Sequence, residues 1–126
     1  MTDPQDPRSR HDIDLTIRLT EAPEAPEYTF HLAADGGSVA PASTLPDPAA
    51  ALAAVQRFGE DIFFPKPGPP KMCTQQYGGP QVAVVTGWFL GREVHSVFSR
   101  TDGCEIARWR AMMPLLGGVA GSTGAI

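Results

Sequence analysis

Cysteine is scarce in this chain, two in 126 residues, and lysine equally so: apart from Lys66 and Lys71, every basic residue is arginine. Two cysteines cannot build a dense disulfide net. A chain of this length does not need one, because it suits one domain of roughly 100–150 residues with its own core. By count alone, Cys73 and Cys104 permit one disulfide, and two free buried thiols are the safer reading. Positive charge is also short. Ten basic residues against fourteen acidic ones, a net charge of −4, leave no basic footprint for nucleic acid. Long apolar runs are missing, and none approaches the roughly 20 residues of a membrane-spanning helix, so no membrane partner is expected. The first twenty residues are polar and lack the apolar segment of a secretion signal. Taken alone, that start reads as cytoplasmic, or as a chain whose leader has been replaced by Met1.

Catalytic and metal motifs are absent as well. No glycine-rich phosphate loop, nucleophile elbow or helix-borne metal motif occurs. His11, His31 and His95 are scattered, none at metal spacing from another histidine or from a cysteine, so neither a metal nor a cofactor is expected. His31 and His95 read as structural histidines on strand faces. Glu60 and Asp61 read as helix-end surface rather than an acid/base pair. An enzyme is therefore the least favoured class.

What is present predicts an α+β fold: an antiparallel sheet of four to five strands, one long and one short helix packed on it, and a long stiff loop. Residues 1–11 form a polar arm, 12–116 the domain, and 117–126 a loose tail. Ile13, Leu15, Ile17 and Leu19 alternate with Asp14, Thr16, Arg18 and Thr20, the period of a strand with one buried face. Pro23 and Pro26 bracket a turn to a second, antiparallel strand carrying Tyr28, Phe30 and Leu32. Asp35-Gly36-Gly37 ends it, and a Pro/Ser/Ala-rich loop runs to Leu45. Asp47 and Pro48 announce a helix whose core stripe is Leu52, Val55 and Phe58, with Ala51 one turn earlier, and which Gly59 closes. Residues 81–87 and 92–99 read as two strands joined around Trp88 to Gly91, the first with too little alternation to have an exposed face. Thr101 or Asp102 caps a short helix with Ile106, Trp109 and Met113 on one side. Trp88, Phe89 and Trp109 read as core filling in preference to a partner surface.

The stretch 65–80 is unusual. Its five prolines, at 65, 67, 69, 70 and 80, exclude a helix and favour stiff, extended backbone. An irregular loop of this length is commonly functional.

Within it, Met72-Cys73-Thr74-Gln75-Gln76-Tyr77 resembles the subtilisin inhibitor-like family of actinobacterial proteins. The shared order is Cys-Thr-x-x-Tyr, a nearby Pro80, and two strands around Gly87, Trp88, Phe89 and Gly91. Val97 to Ser99 and then Cys104-Glu105 complete it. Leu52 to Val55 and residues 13–20 match the family's first helix and strand, so the likeness spans most of 12–113. It implies an inhibitor of subtilisin-like or trypsin-like serine proteases, binding in a substrate-like manner. It further implies a Cys73–Cys104 disulfide, and a reactive loop of Met72, Cys73, Thr74, Gln75, Gln76 and Tyr77. Gln75 would enter the specificity pocket, and Gln75–Gln76 would be the scissile bond. The resemblance also implies an extracellular location and pairing through the sheets as homodimers. The family's second bridge has no counterpart, since Leu32, Ala34 and Ala49 occupy its regions. That departure, together with the polar Gln75-Gln76 pair, motivates the alternative of a non-inhibitory interaction domain of the same fold in the cytoplasm.

Overall fold

Alternating side chains decide the first strand, β1 (Ile13–Thr20): Ile13, Leu15, Ile17 and Leu19 are buried while Arg18, between them, is exposed. The fold comes from a computed structural model, which describes residues 11–69 and 72–116. The polar arm therefore lies outside the described residues up to residue 10, as do Pro70, Lys71 and the tail at 117–126.

β1 is the middle of a five-stranded sheet ordered β3-β2-β1-β4-β5, made with β2 (Glu27–Asp35), β3 (Ser38–Val39), β4 (Val82–Phe89) and β5 (Arg92–Phe98). Every pairing is antiparallel. The register sets Leu15 beside Leu32 and Gly87, and Ile17 beside Phe30 and Val85, so apolar residues of successive strands line up in rows on one face. Two helices, α1 (Pro48–Phe63) and α2 (Gly103–Ala111), complete an α+β fold. Their buried residues, Leu52, Val55 and Phe63 from α1 and Trp109 from α2, join one core with the strands and with Met112, Leu115 and Leu116.

Caps behave as their chemistry predicts. Ala50 N donates to Asp47 Oδ1 at 3.1 Å with Pro48 at the start of α1, and Asp102, not Thr101, accepts from Glu105 N at 2.9 Å. Other expectations are corrected. Gly59 does not close α1, which continues to Phe63. A β-carbon there would sit 3.3–3.4 Å from Val55, Phe63 and Phe89, so this glycine lets the helix approach the sheet. The strand after Pro80 does alternate: Ala83, Val85 and Phe89 are buried, while Val82 is exposed. It also extends through Trp88 and Phe89. On the last turn Met112 is buried and Met113 exposed, because the chain leaves helical geometry after Ala111 and the side-chain phase shifts. β3 is an unanticipated two-residue strand.

β3 and the segment after it cover one sheet edge. Ala40 N bonds to Ala33 O, Thr44 N to His31 O, and the Ser43 hydroxyl serves both N–H and C=O of Ala33. These bonds satisfy groups that would otherwise invite another strand.

The β4–β5 turn consists of Leu90 and Gly91, with φ of 51° and 85°. Two positive values suit the twist of a hairpin, but leucine is a poor occupant of the left-handed region and is here 62% exposed. Replacing it with asparagine, Leu90→Asn, is expected to stabilise the fold by about 1 kcal/mol, read as a higher urea midpoint at unchanged slope.

Candidate functional site

Residues 72–79 carry no regular structure. Met72 is fully exposed, Tyr77 is 67% exposed, and Cys73, Thr74, Gln75 and Gln76 between them are exposed too. Such a segment makes few contacts of its own, so what orders it must come from beneath.

Its support is the short stretch that links β5 to α2. Cys73 and Cys104 form a disulfide, with Cα atoms 5.3 Å apart. Gly103 N donates to Thr74 O at 3.0 Å, and Gly78 N donates to Arg100 O at 2.7 Å. Gln75, Gln76 and Tyr77 therefore bridge two anchors, one at Thr74 and one at Gly78. The anchor strand is itself fixed. Asp102 caps α2, and Arg108 donates to Val97 O at 3.1 Å, pairs with Glu105 at 3.0 Å and lies over the Phe98 ring. Arg100, only 4% exposed, places its guanidinium 5.9 Å from the Trp109 ring.

Gly103 keeps this contact close, since a β-carbon on it would fall against the Thr74 hydroxyl and force that side chain to turn away. The close approach is what allows the first amide of α2 to reach the Thr74 carbonyl. The bridge itself joins residues 31 apart, a span worth roughly 3–4 kcal/mol in the chain-entropy treatment.

Each residue singled out from the sequence, from Met72 to Tyr77, thus lies on one exposed segment, and Cys104 lies under it. Arg100, Asp102 and Gly103 were not anticipated as its supports. Asp102 was readable as a cap, but a spacing pattern does not reveal that the capped turn faces residues thirty positions earlier.

The histidines lie elsewhere. His31 Nε2 is 2.6 Å from Asp14 Oδ1 on adjacent strands, and His11 pairs with Asp35. Asp35 also accepts from Asp12 N at 2.9 Å, and Asp12 accepts from Gly36 N at 3.0 Å. The hydrogen bond to Asp35 raises the His11 pKa above its usual 6.5, and the same bond holds Asp35 below its usual 3.8. No protein-family model matches the chain, and no curated protein matches it.

Two measurements check these contacts. The His11–Asp35 pair contributes fully where Asp35 is ionised and His11 protonated, from about pH 4 to pH 6.5. Its contribution fades as pH rises through the elevated His11 pKa, and again as pH falls through the depressed Asp35 pKa. The difference in melting temperature between wild type and His11→Gln is thus expected to peak near pH 5–6 and vanish in mild alkali. For the loop, Gly103→Ala is expected to speed exchange of the two amides that bond across the contact, at Gly78 and at position 103, by about tenfold or more while leaving β1 unchanged.

Proposed function

We propose that the chain is a substrate-like inhibitor of serine proteases, of the kind its resemblance to the subtilisin inhibitor-like family implies, with Gln75–Gln76 as the reactive bond. The observation that carries this reading is the two-sided anchoring of an exposed, irregular segment: Thr74 is held before that bond and Gly78 after it.

The chemistry follows from the anchoring. An exposed segment can add to a protease cleft through main-chain hydrogen bonds. The protease serine attacks the Gln75 carbonyl carbon. The C–N bond then breaks, and Gln76 N leaves with a proton from the protease histidine. In an ordinary substrate the new amine diffuses away and water finishes the reaction. Here the amine side is attached through Gly78 to Arg100, and the acyl side is tied to α2 through Cys73 and Thr74. The amine therefore stays within reach of the acyl carbon and the bond re-forms. A segment ordered before binding also spares the complex the entropy of ordering it.

The neutral Gln75 side chain offers no ion pair to an acidic pocket and less apolar surface than leucine or methionine. The preferred target under this reading has a broad, undemanding specificity pocket. Secretion and pairing through the sheet belong to the same proposal. Val82 and Val97, 37% and 50% exposed, supply apolar surface on the outer face of the sheet for such pairing.

Incubation with subtilisin-like, trypsin-like and chymotrypsin-like enzymes tests the proposal. Stoichiometric inhibition is expected for at least the subtilisin-like class, with any nick confined to Gln75–Gln76. Gln75→Leu should tighten binding to that class by about tenfold or more, and Gln75→Lys should shift preference to trypsin-like enzymes. Rapid cleavage at many bonds, with protease activity undiminished, overturns it.

A further inference from the structure

The bridge that anchors the segment has a third chemical partner. Cys73 Sγ, Cys104 Sγ and a carboxylate oxygen of Asp102 all lie within 4.8 Å of one another. Two open grooves flank the sulfurs. One is lined by Ile62, Glu105 and Arg108, the other by Met72, Gln76 and Arg110, so solvent, a reductant or an ion can reach them.

A dithiol reductant that supplies two electrons and two protons breaks the S–S bond, leaves a thiol on each cysteine and becomes a disulfide itself. The reduced site then holds two sulfurs and a carboxylate in a space small enough for one ion. Zinc–sulfur bonds near 2.3 Å and a zinc–oxygen bond near 2.0–2.2 Å require ligand atoms roughly 3.5–4 Å apart, which side-chain rotation of the present set supplies. Without a cation, two thiolates and Asp102 would repel at this range. Divalent metal removes that repulsion while displacing the two thiol protons. Asp102 also caps α2: its Oδ1 accepts from Glu105 N at 2.9 Å, and a carboxylate has lone pairs enough to keep that bond and bind an ion as well. Cys104 stands in the first turn of α2, which places its sulfur on a rigid element.

We propose that the reduced chain binds one thiophilic divalent cation, zinc by chemical class, through Cys73, Cys104 and Asp102, with water completing a tetrahedron. The ion takes over the tether that the disulfide provides in the oxidised chain, so the segment 72–78 stays fixed to α2 in either redox state. This site does not depend on the protease reading, and it stands or falls by metal binding alone.

Cobalt(II) is the probe. The full-length chain, reduced with a phosphine and titrated with cobalt, is expected to develop thiolate-to-cobalt charge-transfer absorption that saturates at one ion per chain. Zinc should bleach it, and the oxidised chain should show none. Asp102→Asn retains a good helix cap, so the fold survives, and it should weaken cobalt binding by about tenfold or more. Cys104→Ser should remove most of the charge-transfer intensity. Absence of the band in reduced wild type, saturation at half an ion per chain, or unchanged affinity in Asp102→Asn overturns the site.

Discussion

The chain from Arg100 to Cys104 is the constraint on which the exposed segment depends. In five residues it offers one carbonyl, one amide and one sulfur to positions 73–78, and so holds both sides of the Gln75–Gln76 bond. Nothing in the exposed segment could do this alone. Ordering a residue costs on the order of 1–2 kcal/mol of backbone entropy, and side chains that point to solvent return almost none of it. The cost is met where the segment touches the domain: at the disulfide, at two backbone hydrogen bonds, and in the close contact between Gly103 and Thr74.

That constraint is itself built on the sheet. β5 ends in Phe98, wholly buried, and Arg100 follows with its side chain folded under the loop towards Trp109. Arg108 ties α2 back to the strand through Val97 O. The apolar face of β1 sets the register of β4, and β4 sets that of β5, which fixes where the supporting turn emerges. A slip of one residue in that pairing would turn Phe98 outward and carry the turn away from the loop. Burial of Ile13, Leu15, Ile17 and Leu19 thus governs the geometry of a bond that none of them touches.

Local signals were legible in the sequence, and contacts across the fold were not. The period of two in β1, the Asp47 cap with Pro48, and the choice of Asp102 or Thr101 for α2 depend only on neighbouring residues. Gly59 misled for the opposite reason. A glycine after an alanine-rich helix is usually a stop, but here it is a point of close packing against Phe89, a partner thirty residues away. Met112 and Met113 are told apart only by how the chain leaves α2. The strand at 82–89 looked uniformly apolar because Val84 is half-buried on the outer face, hiding the alternation. That residues 72–79 lack regular structure was legible from the prolines around them; their supports at Arg100 and Gly103 were not, since a backbone carbonyl or amide leaves no mark in residue type.

One bridge is enough for this architecture, again because of where order is lacking. A second disulfide between β2 and α1 would fix elements that the core already fixes: Leu32, Ala51 and Leu52 are buried together. Cross-linking positions that the native core holds adds stability by restricting the unfolded chain, without adding order to the exposed loop. Cys73–Cys104 is different, because it joins a segment with no core residues of its own to a helix that has them. Its worth is therefore local order as much as global stability. The placement of Asp102 beside it fits the same logic, since a site that must keep position 73 against α2 gains from a ligand set able to hold when the sulfurs are no longer joined.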